Sequence, residues 1–257
     1  MNGRAHAAIT ILNATATGHG CSLAVKGGVE ASWQESPDWS VTGAPDDALV
    51  RAVANHMQLG PARVETTSTF PPARGLKTSS GAAAALLRAA GHPEEGLLES
   101  CVAVCRAAGV TLTGAYDDQC ATTLGGCHLT DNGAMTILAT LPVPSCHVAI
   151  WVPDATIPKS ALQGLDPSTL APQLEAAEAM LLEGDLPGAL TLNGAAFLPF
   201  YQKAGLPVSP DPVRVAMDAG ALGAGLSGTG PAVAALFADK PHLEPVEGGA
   251  WHWTVPA

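Results

Sequence analysis

Phe70-Pro71-Pro72-Ala73-Arg74-Gly75-Leu76-Lys77-Thr78-Ser79-Ser80-Gly81 runs directly into the helix-forming stretch Ala82 to Ala90. A glycine-containing loop therefore opens into a helix, with three hydroxyl residues at the junction and two cations beside them. The unpaired N–H groups of a helix N-terminus and the positive end of its dipole bind phosphate oxygens. Glycine allows close backbone approach, a hydroxyl can ligate Mg²⁺, and Arg74 and Lys77 can neutralise negative charge. The common G-x-x-x-x-G-K-[ST] loop is absent, because no glycine immediately precedes Lys77. Two local readings stand side by side: a phosphate loop of another kind, or a plain loop whose Ser and Thr cap a helix.

Composition narrows the choice of partner. The 257 residues are 47% hydrophobic and 14% charged, enough for one large or two modest domains with a real core. Twelve Lys and Arg against 23 Asp and Glu give a net charge of −11, which argues against a broad nucleic-acid surface. An anionic ligand must then be met by local donors. Cys21, Cys101, Cys105, Cys120, Cys127 and Cys146 show no CxxC spacing and read as reduced, mostly buried thiols. Cys120, Cys127 and His128 lack a fourth metal ligand at a familiar spacing. No apolar run reaches the roughly 18 residues of a membrane span, and no secretory leader pattern is present, so a soluble cytoplasmic protein is expected.

The periodicity predicts strands over 7–14, 21–25, 29–33, 64–70, 133–141, 147–152 and 250–255, with a turn at Lys26-Gly27-Gly28. A glycine-rich turn passes into a further strand over 225–237. Helices are expected over 45–57, with Asp46 and Asp47 in the first turn, and over 80–90, 93–108, 170–184, 186–203 and 212–220. Another follows the loop from Thr111 and stops at Gly125-Gly126. Pro142 and Pro144 suggest a boundary, giving domains 1–143 and 144–257. Mixed, non-alternating elements argue for α+β.

Two further segments carry chemistry. Asp117-Asp118, between Gly114 and a helical run, could hold Mg²⁺, act as a base towards a hydroxyl, or cap a helix. Gly223, Gly225 and Gly228 formally match G-x-G-x-x-G, but the match follows a helix and leads into a β-like run, unlike a dinucleotide site. Four glycines in the eight residues from Gly223 to Gly230 suggest close backbone approach, to a ligand or to another part of the fold.

Pro71 to Ser80 as P-x-x-x-G-L-x-[ST]-S-[SA], Asp118 seven residues before Gly125, and Ser227-Gly228-Thr229-Gly230-Pro231 occur in that order. The combination resembles the GHMP kinase superfamily. Ile11-Leu12-Asn13-Ala14, Thr17-Gly18, Gly75-Leu76-Lys77, Thr113 to Asp118, Leu192-Asn193-Gly194 and Ala219-Gly220-Ala221 are most similar to the archaeal-type shikimate kinase branch. The resemblance implies a ribosomal-protein-S5-like N-terminal domain, a ferredoxin-like C-terminal domain, and a site between them. It further implies MgATP as donor and the 3-hydroxyl of shikimate as acceptor. By motif, Pro71, Pro72, Ala73, Arg74, Gly75, Leu76, Lys77, Thr78, Ser79, Ser80 and Gly81 would wrap the ATP phosphates. Ser79 would ligate Mg²⁺, and Asp118 and Lys77 would be catalytic. Asn13, Thr17, Asp117, Gly228 and Thr229 are the candidate substrate contacts. His19 stands where related sequences often have lysine, and Gly81 where alanine is usual. Another acceptor such as homoserine, or a catalytically silent ligand sensor, are the alternatives that motifs alone leave open.

Overall fold

Small apolar residues alternate from Asn2 to Leu12 to form β1, which pairs antiparallel with the 17-residue β2 (His19–Glu35). In this computed structural model all residues are described except 44–46, 112–113 and the side chain of Lys159. β2 is the spine of a six-stranded sheet. Its first half pairs with β5 (Cys127–Asp131) and its second half with β4 (Ala62–Ser68), while β3 (Ser40–Thr42) and β6 (Thr136–Thr140) form the edges. The interval between those halves is filled by residues 255–257: Lys26 N–H donates to Val255 O and Ala257 N–H to Ala24 O.

The chain from 21 to 33 is thus one strand, not two strands joined at a Lys26-Gly27-Gly28 turn. His6 faces Gly28 and Ala7 faces Val25, so Lys26 and Gly27 bulge out of the ladder. Gly28 needs its positive φ of 139°, since a Cβ there would lie 1.9 Å from Ala5 O. The expected strand over 133–141 is confined to β6, and β5, β3 and β8 (Gly223–Leu226) were not anticipated. Short, polar or glycine-rich strands carry little periodic signal, and pairing partners decide them. The expected helix over 45–57 is described as α1 (Asp47–Met57), its residues Pro45 and Asp46 lying outside the described set.

Helix α2 (Thr78–Ala89) is buried along almost its whole length, Ala82 to Leu87 completely. It lies on β1 and β2 at a distance that only small residues allow, because a Cβ on Gly3 would meet Ala85 O at 2.1 Å. Helix α3 (Leu97–Ala107) begins at Leu97 rather than Pro93, started by Gly96 in the left-handed region. Helix α4 (Tyr116–Leu124) packs beside α2 on β1 and β2.

The second sheet is antiparallel throughout, in the order β10 (Gly249–Thr254), β7 (His147–Pro153), β9 (Val233–Phe237), β8. Helices α5 (Ala171–Leu182), α6 (Leu186–Lys203) and α7 (Asp211–Asp218) accompany it. One apolar core spans both sheets, joining Ile9, Ile11, Leu23 and Leu129 to Ile150, Leu190, Phe197 and Leu236. Where α6 crosses β8 the backbones touch: a Cβ on Gly194 would lie 2.6 Å from Gly225 Cα, and one on Gly225 would lie 2.4 Å from Leu190 O. Gly194→Ala is therefore expected to destabilise the fold by about 1–3 kcal/mol, since backbone must move to admit the methyl. A thermal melt checks this, and an unchanged melting temperature contradicts the close crossing.

Candidate active site

The loop between β4 and α2 is held from below. Ser227 Oγ donates to Gly75 O at 2.7 Å and accepts from Thr10 N–H at 3.1 Å, while Ala232 N–H donates to Arg74 O. Leu76 is buried in the shared core. Gly75 has φ 82°, and a Cβ there would meet Ser227 O at 2.1 Å. The glycine-rich stretch after β8 is thus the floor of the loop between β4 and α2.

Arg74 is drawn away from the helix start. Its Nε donates to Pro153 O at 2.6 Å, Nη2 to Asp154 O at 2.7 Å and Nη1 to Pro72 O at 3.3 Å. It ties the loop to the end of β7. Pro71, Pro72 and Ala73 are exposed on the outer rim.

Helix α2 starts from Lys77 in the left-handed region, φ 60° and ψ 25°, with no side-chain cap. Such a conformation costs a non-glycine residue on the order of 1 kcal/mol and marks a constrained position. Gly81 N–H bonds Lys77 O. The N–H groups of Thr78, Ser79 and Ser80 have no partner among the described residues, nor do the hydroxyls of Thr78 and Ser79. A half-buried first turn with three free donors is a ready anion site.

The Lys77 side chain crosses to α4, where Nζ lies 2.8 Å from Asp118 Oδ1, the two side chains being 9% and 16% exposed. Helix α4 likewise starts from a left-handed residue, Ala115 at φ 47°, after Gly114 at φ 100°. Neither aspartate caps it: both sit in its first turn. Thr113 of the expected motif lies outside the described residues. Asp118 Oδ1 also accepts from Ser22 Oγ at 2.9 Å. Asp117, 5% exposed, accepts from Asn132 Nδ2 at 2.7 Å and contacts Ser22 Oγ at 3.3 Å. Burial and the charge of Asp118 push its carboxyl up to about 7, against the opposing pull of Lys77 and Asn132.

Gly228 completes the enclosure. A Cβ there would lie 3.0 Å from Lys77 Nζ and 3.5 Å from Thr10 Oγ1, a buried hydroxyl without a partner among the described residues. The space beside the lysine head is therefore kept open by a missing side chain. Asn13 Nδ2 donates to Gly228 O at 3.1 Å, and Asn13 N–H donates to Asn193 Oδ1 at 2.9 Å. Thr229 is half-buried on the same loop. Thr17 belongs to a neighbouring cavity of about 410 Å³ with His19, Glu175, Glu178 and Leu182, where His19 Nδ1 lies 3.0 Å from Glu178 Oε2.

The fold thus brings Lys77, Asp118, Asp117, Gly75 and Gly228 together, places Asn13 behind them, and sets Thr17 and the loop's outer rim to the sides. Ser22, Asn132, Thr10 and Glu178 were missed by sequence reasoning, and Ser227 was noted only as part of its motif, without its role beneath the loop. Ser22 left one faint signal, a polar residue amid Cys21, Leu23 and Ala24; Asn132 reads only as a turn residue.

All six cysteines are buried and unbridged, with Cys21 Sγ 3.3 Å from Cys127 Sγ. The described residues contain no group of three His, Cys, Asp or Glu that could hold a metal. A hydroxyl at the first turn, free and half-buried as in Ser79, fits one oxygen ligand of a Mg²⁺ whose other ligands are phosphate and water. No helix among the described residues is long and apolar enough to cross a membrane.

Comparison with known proteins gives a consistent picture. The model of the GHMP kinases N terminal domain matches residues 47–126, and that of the GHMP kinases C terminal matches residues 176–248. The shikimate kinase of Pyrococcus furiosus is 33% identical over 265 residues, covering 95% of this chain and 94% of that protein. The shikimate kinase of Methanothrix thermoacetophila is 36% identical, covering 96% and 88%. In structure, homoserine kinase from Cytophaga hutchinsonii superposes with a TM-score of 0.70 over 100% of this chain and 94% of that one, at 18% identity, a likeness of fold alone.

Ser227→Ala removes the donor to Gly75 O and the acceptor of Thr10 N–H, leaving one buried and one half-buried backbone group without this partner. A loss of about 1–3 kcal/mol per unpaired group is the physical scale, so the variant is expected to melt lower and to bind an ATP analogue more weakly. Calorimetry with and without the analogue checks both; an unshifted affinity would detach the glycine-rich floor from the loop above it.

Proposed function

The chain belongs to the GHMP kinase family, and we propose that it transfers the γ-phosphoryl group of ATP to the 3-hydroxyl of shikimate, giving shikimate 3-phosphate and ADP. It is an ATP-dependent small-molecule kinase. The observation that carries the reaction class is the facing of a free helix N-terminus and an acidic side chain across one cation, Lys77 Nζ to Asp118 Oδ1 at 2.8 Å. The choice of shikimate rests on identity of about a third over nearly the whole chain to shikimate kinases.

The roles follow from the chemistry of each group. The N–H groups of Thr78, Ser79 and Ser80 receive phosphate oxygens, and Lys77 neutralises charge that spreads over the transferring group. Mg²⁺, held on the protein side by Ser79, supplies further neutralisation of the donor phosphates when bound. Asp118 Oδ1 is occupied by Lys77 and Ser22, so Oδ2 meets the acceptor hydroxyl. As the acceptor oxygen bonds to the γ-phosphorus its proton passes to Asp118, and the bond to the ADP oxygen breaks.

Lys77 is the cation beside the reactive carboxylate. His19, where related sequences often carry lysine, turns instead to Glu178. His19 with Thr17, Glu175 and Glu178 makes a polar wall suited to the hydroxyls of a ring acceptor. The division into an ATP-binding domain, 1–143, and a second domain, 144–257, is supported by the first sheet ending at Thr140 and the second beginning at His147.

Asp118→Asn is expected to lower turnover by about 10²–10⁴-fold while leaving ATP affinity nearly intact, because the phosphate contacts come from α2. Ser79→Ala is expected to raise the Mg²⁺ concentration needed for half-maximal rate. ADP release measured with shikimate and homoserine in parallel tests the acceptor. Turnover with homoserine alone removes the shikimate assignment, and full activity of Asp118→Asn removes the base.

A further inference from the structure

Behind Asp118 lies a hydrogen-bond chain whose direction can be worked out from donors and acceptors. Asn132 Oδ1 accepts Asp117 N–H at 3.0 Å, which fixes the amide and turns its Nδ2 onto Asp117 Oδ1 at 2.7 Å; Thr130 Oγ1 lies 2.8 Å from the same Oδ1 and 3.2 Å from Gly20 O. Asp117 Oδ1 is therefore an acceptor, and any proton on this carboxyl sits on Oδ2. That oxygen faces Ser22 Oγ at 3.3 Å, and Ser22 has a single hydrogen, best placed towards Asp118 Oδ1 at 2.9 Å. Gly20 packs against Asp117 so closely that a Cβ would lie 2.8 Å from its Cγ and Oδ2.

We propose that Asp117 is a positioning residue held as the neutral acid, donating from Oδ2 to Ser22 Oγ so that Ser22 donates to Asp118 Oδ1 and fixes the reactive carboxylate. The inference rests on the reading of Asp118 as the group that meets the acceptor hydroxyl.

Charge counting supports it independently. Among the described residues, the ionisable groups facing Asp117 are Asp118 and Cys120 from α4, Lys77 immediately before α2 and Cys21 from β2. Burial pushes the Cys120 thiol up to about 12, and the hydrogen bond with Cys127, followed by burial, holds Cys21 well above the usual thiol range, so neither adds a charge at neutral pH. One cation then serves two adjacent carboxyls, and the more buried of the two keeps its proton. Lys77 and Ser22 both converge on Asp118 Oδ1, which identifies Asp118 as the ionised partner. The elevation of Asp117 to about 7 is the same balance seen from the proton.

The consequence has a definite sign. Asp117 holds its proton more tightly when folded than at its ordinary value of 3.8, so the folded state binds more protons between about pH 4 and 7. Stability is largest at the acid end of that window and falls as pH rises through it. Above the window Asp117 is ionised, Ser22 is contested by two carboxylates, and Asp118 is no longer singly oriented.

The test compares wild type, Asp117→Asn, Ser22→Ala and the double variant, in kcat against pH with ATP, Mg²⁺ and shikimate, and in denaturant stability against pH without ligands. An asparagine at 117 accepts from Asn132 and donates to Ser22, reproducing the neutral acid. Wild-type kcat is expected to fall through a limb near pH 7 that Asp117→Asn lacks, and this variant loses less than about tenfold in kcat, far less than Asp118→Asn. Ser22→Ala loses about 10–100-fold in kcat, the worth of a hydrogen bond to a charged group, with KM for ATP held. Adding Asp117→Asn to Ser22→Ala costs nothing more. A limb that persists in Asp117→Asn, or a loss there equal to that of Asp118→Asn, overturns the proposal. The stability arm needs no substrate: if wild type fails to phosphorylate shikimate, the functional reading falls, while an equal pH slope in wild type and Asp117→Asn still refutes the neutral acid.

Discussion

A lysine head group enclosed between two helix N-termini is the interaction on which this site depends. Lys77 is the residue just before α2, and its side chain ends at the first turn of α4, largely out of solvent. Removing one partner from such a pair strands the other charge, at about 3–5 kcal/mol. Two further facts keep the arrangement from being a mere buried ion pair. Both helices begin from left-handed non-glycine residues, Lys77 and Ala115, and the space beside the lysine is held open by Gly228. Strain and emptiness are retained where a ligand would have to enter, which is the pattern of a site built for binding.

The second constraint is close backbone approach. The chain has four Phe, two Tyr and five Trp in 257 residues, so large rings such as Phe197 and Trp151 fill only part of its core. Instead the elements lie close together: α2 presses its alanines on β1 and β2, and α6 meets β8 glycine to glycine. Close packing makes position unforgiving, because little can shift to absorb an added methyl. The same rigidity carries α2 and α4 on one sheet face, so that Lys77 and Asp118, 41 positions apart, meet within hydrogen-bond range.

The two sheets share a core, and the loop between β4 and α2 is braced by both. Ser227 holds it from beneath, Arg74 ties it to Pro153 and Asp154, and the segment 255–257 pairs with β2. A ligand bound at α2 would therefore touch the elements of the first sheet directly and those of the second through these braces. The positive charges that the acidic chain can offer are few. Arg74 is committed to carbonyl oxygens and Lys77 to Asp118, which leaves the neutral N–H groups of the first turn as the donors open to an anion.

The main helices, the loop from Pro71 to Gly81, the paired aspartates and their order along the chain were legible in the sequence, because glycine, hydroxyl and carboxylate spacing follows local backbone rules. What joins them was not. Nothing local marks Asn132 or Thr10 as partners of the site, and Ser22 only faintly, nor Arg74 as a brace rather than an anion ligand, nor Gly27 and Gly28 as a bulge instead of a turn. Several of those roles come from residues distant in the chain: Arg74 meets Pro153 across 79 positions, Ser22 meets Asp117 across 95 and Thr10 meets Ser227 across 217. A hydrogen bond across such a span depends on how the sheets and helices pack, and side-chain chemistry read one segment at a time does not contain that geometry.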